Sequence, residues 1–192
     1  MKRNELIEKT GNLGKEVFTI KDLKKLFPGE SNLKMAVKRL KDAGVIVSVA
    51  RGMYFLQGKP LNIEKLANQI YYPSYISFES ALATYGVINQ GLYQITLATT
   101  RHSKKLKLAG TICEYIKIKE SLFFGFTLVK GVYLAEPEKA FLDELYLLTL
   151  GKRPVNYGEW YLKELNKAKI KKYLGAYGHR VQEIAEELVG RA

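Results

Sequence analysis

The sequence predicts an α+β fold in two parts, and three observations carry that expectation. Apolar residues recur at helical spacing in three short runs before residue 44, and residues 44–56 then alternate as a hairpin. β-branched and aromatic runs between residues 93 and 135 give way to helical spacing again after Pro137. With 192 residues, 47% of them hydrophobic, the chain is long enough to bury a core in one small domain and one larger domain.

Residues 2–10 make the first helical segment. Thr19 is placed to cap a short second helix that turns Ile20, Leu23, Leu26 and Phe27 inward and ends at Pro28-Gly29. A third helix is expected over residues 31–43, within SNLKMAVKRLKDAG. Ser31 is its predicted N-cap, since a hydroxyl can accept from a free N–H of the first turn, and Gly44 suits a left-handed exit. Leu33, Val37 and Leu40 form the buried stripe, widened by Ala36 and Ala43. Asn32, Lys34, Met35, Lys38, Arg39 and Lys41 are left outside, with Asp42 the only acid among them. The run GVIVSVARGMYFL follows, two alternating strands around Ala50-Arg51-Gly52-Met53, where Gly52 supplies the positive φ of a tight turn.

Three helices and then a hairpin is the order of a winged helix-turn-helix. In that arrangement the third helix can enter a DNA major groove, about 12 Å wide, while the hairpin tip reaches the backbone or minor groove. The DNA-binding candidates are Thr19, Lys21, Ser31, Asn32, Lys34, Met35, Lys38, Arg39, Lys41, Arg51 and Gly52. Asn32, Met35 and Arg39 are assigned to bases, and Lys34, Lys38 and Lys41 to phosphates.

The polar stretch Gln57-Gly58-Lys59-Pro60 marks the expected boundary, with a winged-helix domain over 1–60 and an α+β domain over 61–192. In the second part, residues 63–71 and 78–85 read as helices. Residues 93–99, 111–119, 122–129 and 132–135 read as strands of a mainly antiparallel sheet. Residues 137–148, 159–165, 170–174 and 179–189 complete a helical C-terminal tail. The chain has no internal repeat and no low-complexity tract.

Thirty-one basic residues against nineteen acidic ones give a net charge of +12, a field that attracts polyanions. Residues 1–60 hold 13 basic and 6 acidic residues, so the excess is densest in the part expected to meet DNA. The apolar runs are too short to span a membrane, and MKRNELIEK lacks the apolar stretch of a secretion signal, so the expected location is the cytoplasm, with no membrane partner. Cys113, the single cysteine, sits among Ile112, Tyr115 and Ile116 and reads as a packed strand residue.

Catalytic signatures are absent. Asp occurs only at 22, 42 and 143, so there is no Asp-x-Asp pair for a nucleotidyltransferase metal, and no Glu-x-Lys triplet for a restriction-type nuclease. No phosphate-binding loop, nucleophile elbow or zinc spacing occurs. His102 reads as a loop residue, and Glu136 and Glu138 as charges that favour a helix start at Pro137. The expectation is therefore a non-enzyme without cofactor or metal.

The runs YPSYISFESALATYGVI (72–88), ITLATTRHSKK (95–105) and VYLAEPEKAFLDELY (132–146) resemble the AbiEi family of antitoxins, as does LKDAGVIVSVARGMYFL (40–56). The resemblance covers residues 17–150, and its most specific element is Ala135-Glu136-Pro137-Glu138-Lys139-Ala140 followed by Asp143. It implies the antitoxin of a type IV toxin-antitoxin pair. Its N-terminal domain would repress its own operon by binding double-stranded DNA at repeated sites in its promoter. Its C-terminal domain would counter a nucleotidyltransferase-type toxin, with or without touching it. Arg101, Lys104, Lys105 and Lys107, expected to crowd one loop with no acid nearby, are the candidate antitoxin surface. The alternative is a stand-alone winged-helix transcription factor whose C-terminal domain senses a ligand or a protein. A divergent nuclease is the third reading.

Overall fold

The computed structural model describes residues 2–12, 16–89, 91, 93–151 and 160–191. It divides into two units, Met1–Ile63 with Lys107–Gly110, and Glu64–Leu106 with Thr111–Ala192. The sequence boundary at residue 60 lies just before the observed division, and the excursion of 107–110 into the first unit is not visible in the sequence.

The first unit runs α1 (Arg3–Gly11), β1 (Phe18–Thr19), α2 (Ile20–Leu26), α3 (Leu33–Asp42), β2 (Ile46–Ala50) and β3 (Met53–Leu56). Its strands form an antiparallel sheet in the order β1-β3-β2, with Phe18 opposite Tyr54 and Ile46 opposite Leu56. The short β1, which the sequence reading missed, is recruited by pairing to β3. Leu6, Phe18, Leu23, Phe27, Val37, Leu40, Val45 and Ile46 make the core. Each such side chain contributes about 1.5–3 kcal/mol on leaving water.

The start of α3 differs from the expectation. Asn32, not Ser31, is the N-cap, its Oδ1 accepting from the Met35 N–H at 3.1 Å, and the helix begins at Leu33. An Asx side chain caps as well as Ser does, and the one-residue offset keeps Val37 and Leu40 in the core. At the other end Gly44 takes φ +65°. The Val45 N–H donates to the Leu40 carbonyl and the Gly44 N–H to the Lys41 carbonyl, both at 2.9 Å, which closes a Schellman cap. Ala43, expected on the buried stripe, is exposed at this end.

The second unit adds α4 (Ile63–Ile70), β4 (Ser74–Ile76), α5 (Phe78–Thr84), β5 (Gln94–Thr99), β6 (Lys104–Leu108), β7 (Thr111–Lys117), β8 (Phe126–Val129), β9 (Val132–Ala135), α6 (Pro137–Thr149), α7 (Lys167–Leu174) and α8 (His179–Arg191). Its six-stranded sheet has the order β6-β7-β5-β4-β9-β8. β4–β5 and β8–β9 pair antiparallel, as the alternating runs suggest. β4–β9 and β5–β7 pair parallel, so the sheet is mixed, a property of long-range connection that periodicity does not encode. Residues 122–125 lie outside β8, because a single 3₁₀ turn at Glu120–Leu122 precedes it. The helix expected over 159–165 is one 3₁₀ turn at Leu162–Glu164, with Glu159 outside the described residues. α7 starts at Lys167, three residues before the expected start, capped by Asn166, whose Oδ1 accepts from the Lys169 N–H at 3.1 Å. Among the described residues no helix is long and apolar enough to cross a membrane.

Candidate nucleic-acid interface

Helical spacing on α3 sorts its exposed side chains into two rows. Lys34, Lys38 and Lys41 recur at i, i+4 and i+7, on the flank that faces α2 and β3. There they line a groove of about 390 Å³ with Val37, Asp42, Ile20 at the start of α2 and Tyr54 of β3. Met35 and Arg39, at i and i+4, form a second row outside that groove, and Met35 is half exposed. Met35 is a large apolar side chain that the first unit leaves uncovered on its most basic helix.

Several candidates turn out to be engaged already. The Thr19 hydroxyl accepts from the Asp22 N–H at 3.2 Å and donates to Asp22 Oδ2 at 2.8 Å, while the Thr19 N–H donates to the same oxygen at 2.8 Å. Thr19 therefore completes a capping box and is not a free phosphate ligand. Asn32, assigned to bases, accepts the Met35 N–H with its Oδ1 at 3.1 Å as the helix cap. Ser31 and Lys21 are exposed. Gly52 has φ +75°, and its carbonyl accepts from the Ile20 N–H at 3.2 Å, so the hairpin tip is tied to the first residue of α2. Arg51 stands exposed beside this anchored glycine.

The four basic candidates for the antitoxin surface separate. Lys104, Lys105 and Lys107 lie on β6, an edge strand rather than a loop, where successive side chains point to opposite faces. KKLKL is a strand with lysine on its edge, a common way to keep an edge from pairing with other chains. Lys105 is bonded to Glu114 at 3.1 Å, so the expectation of no nearby acid fails for it. Arg101 and Lys104 instead gather over the ring of Tyr71. Lys107 is exposed, in the segment that counts with the first unit.

One ion pair of the second unit is hidden with its hydrogen-bond partners. Asp143 of α6 accepts hydrogen bonds from the Tyr75 hydroxyl at 2.9 Å, the Ser77 hydroxyl at 2.8 Å, the Tyr177 hydroxyl at 2.8 Å and the Lys139 ammonium. Every one of these five side chains is at most 3% exposed. Lys139 also lies within 5.5 Å of the ring centroids of Tyr75, Phe124 and Tyr177. Burial pushes its ammonium below the usual lysine range, against the pull of Asp143. Burial, and then Asp143, push the Glu144 carboxyl up to about 7. Sealed from solvent, the cluster ties β4 and the Tyr177 turn to α6 and leaves no nucleophile open to a substrate.

Glu136 and Glu138 do more than favour a helix start. The Glu136 side chain, at the N-cap position, makes no capping hydrogen bond to α6. Glu136 accepts from the Tyr173 hydroxyl and from Lys169 at 2.9 Å, and Glu138 Oε1 accepts from the Asn166 N–H at 3.0 Å, so the two acids fasten α7 to α6. Burial raises the Glu136 carboxyl, but its bonds from Tyr173 and Lys169 outweigh that and leave it below the usual range. Cys113 is buried, and burial pushes its thiol up to about 11, which keeps it protonated and unreactive. The described residues hold no cluster of three metal-binding side chains.

The fold has a solved counterpart. The crystal structure of the Rv2827c protein from Mycobacterium tuberculosis is similar over 97% of this chain and 75% of that one, with a TM-score of 0.67 and 14% identity. At that identity the likeness shows a shared fold. No protein-family model matches the chain, and no curated protein does.

Tyr54, Ile20 and Tyr71 escape a reading of the sequence. Tyr54 and Ile20 look like ordinary strand and helix residues, and only the closure of β3 onto β1 puts them beside the lysine row. Tyr71 follows α4, 30 residues before Arg101, with no local signal that the two meet.

Proposed function

We propose that the first unit is a winged helix-turn-helix and that the chain is a DNA-binding antitoxin of a type IV toxin-antitoxin pair. It represses its own operon through α3 and the β2–β3 hairpin, and counters a nucleotidyltransferase toxin through the second unit. It acts in the cytoplasm and is not an enzyme. The observation that carries the DNA-binding half is the sorting of α3: a lysine row along one groove, a separate Met35–Arg39 row, and Arg51 at an anchored hairpin tip. Lysines track phosphates as point charges, and a guanidinium can read a guanine edge bidentately. The element order helix, strand, helix, helix, hairpin, with the sheet order β1-β3-β2, agrees with this reading.

The antitoxin half rests on the AbiEi resemblance, and the fold gives it coherence. The run 72–88 supplies Tyr75 and Ser77, and the run 132–146 supplies Lys139 and Asp143, so two of the resembling segments meet in one buried cluster. Binding to a duplex of the chain's own promoter tests the first half. Arg39→Ala should relax sequence specificity, whereas Lys38→Ala should weaken all duplexes alike and lower the salt slope by about one. Equal loss of specificity in both variants would reject the row assignment. Co-expression with the product of a neighbouring nucleotidyltransferase gene tests the second half, and failure to restore growth would reject it.

A further inference from the structure

At one end of the six-stranded sheet two cations share a single aromatic ring. The Arg101 guanidinium carbon lies 4.3 Å from the centroid of the Tyr71 ring, and the Lys104 ammonium lies 5.5 Å from the same centroid. The ring is fixed: Tyr71 is 9% exposed, and its hydroxyl donates to the His102 carbonyl at 2.8 Å. The guanidinium is fixed as well, through Nη1 donating to the Tyr72 carbonyl at 3.2 Å. Both cations are exposed, and among the described residues neither has a carboxylate partner. Lys105, one residue along, shows the contrast, since Glu114 neutralises it.

Two like charges held against one ring repel each other, and the quadrupole of the ring attracts them without cancelling their charge. An anion placed between them removes that repulsion. Beside them, Tyr72 leaves 64% of its surface open to solvent, although it directly follows a buried tyrosine. Paired cations, with an exposed tyrosine on the residue whose carbonyl anchors one of them, are the parts that hold a nucleic-acid strand, one part for the phosphate and the other for a base face. A duplex keeps its bases stacked away from such a ring, and an acidic peptide supplies the charge without the base.

We propose that Tyr72, Arg101 and Lys104 form a single-stranded nucleic-acid site on the second unit, separate from the duplex contacts assigned to α3. This site stands on its own residues and does not require the α3 reading to hold. The test uses the full chain, a short fluorescein-labelled oligouridylate and a labelled duplex, with binding followed by anisotropy. Arg101→Ala combined with Lys104→Ala should weaken the single strand about tenfold or more and leave the duplex within about twofold. Tyr72→Ala should weaken the single strand about fivefold or more, and Tyr72→Phe should restore it, because stacking needs the ring and not the hydroxyl.

Lys104→Glu guards against loss of the Arg101 bond to the Tyr72 carbonyl, since it reverses the charge and leaves that bond in place. It should abolish single-strand binding without shifting the thermal melt. Single-strand affinity unchanged in these variants would overturn the proposal. So would a parallel fall for both probes, or competition by polyglutamate as strong as by unlabelled oligouridylate.

Discussion

Glu144→Gln should flatten the pH dependence of stability in the second unit. Glu144 is 2% exposed on α6, and its Oε2 accepts no hydrogen bond among the described residues. Burial, followed by the neighbouring charge of Asp143, raises its carboxyl from 4.5 to about 7. An acid whose folded value exceeds its unfolded value holds its proton more tightly in the folded state. Its stabilising contribution is therefore complete below about 4.5 and is lost as the pH rises through about 7. At about 1.4 kcal/mol for each tenfold in proton affinity, the displacement is worth about 3 kcal/mol. Glutamine keeps the shape and cannot ionise. The variant should match the wild type near about pH 4.5 and exceed it by about 3 kcal/mol near about pH 8. Urea unfolding followed by tryptophan fluorescence reads this directly, because Trp160, the single tryptophan, packs with its ring 5.8 Å from that of Phe141 on the same helix. Stability curves with the same slope against pH in both proteins would refute the reasoning.

Asp143→Ala leaves the Lys139 charge and three hydroxyls without their common acceptor, and should cost about 3–5 kcal/mol in the same urea assay. Lys139→Met with Asp143→Leu should recover most of that loss, and a double variant as unstable as the summed singles would contradict a coupled pair. Asn32→Ala should destabilise the first unit by about 1 kcal/mol and Ser31→Ala by less than about 0.5 kcal/mol, measured by urea denaturation, since only Asn32 caps α3. Arg51→Ala should weaken binding to promoter DNA by about 1–3 kcal/mol in a low-salt titration with no change in thermal melt, and undiminished affinity would rule out contact by the hairpin tip.

Local chemistry was enough for the sequence to determine much of this protein. Leu33, Val37 and Leu40 repeat at the helical period, Thr19 precedes Asp22 by capping-box spacing, and Gly44 and Gly52 sit where only a left-handed backbone closes the turn. Each of these signals acts within a few residues, so α2, α3 and the hairpin were legible before any tertiary contact was known. The same holds for the basic outer face of α3. Tertiary structure decided what depends on distant partners. Strand alternation on β6 and the position of Tyr71 divide four neighbouring cations into a paired Lys105, a ring-bound Arg101 and Lys104, and an exposed Lys107. The parallel pairing of β5 with β7 and of β4 with β9 follows from the order in which crossovers return to the sheet, which no local period records. Asp143 shows the difference most sharply: in the sequence it is one acid in a helix, and only the convergence of Tyr75, Ser77, Lys139 and Tyr177 from β4, the turn after it, α6 and the turn before α8 makes it the buried centre of the second unit. Burying a carboxylate is tolerable only when donors surround it, and those donors come from segments up to 68 residues away.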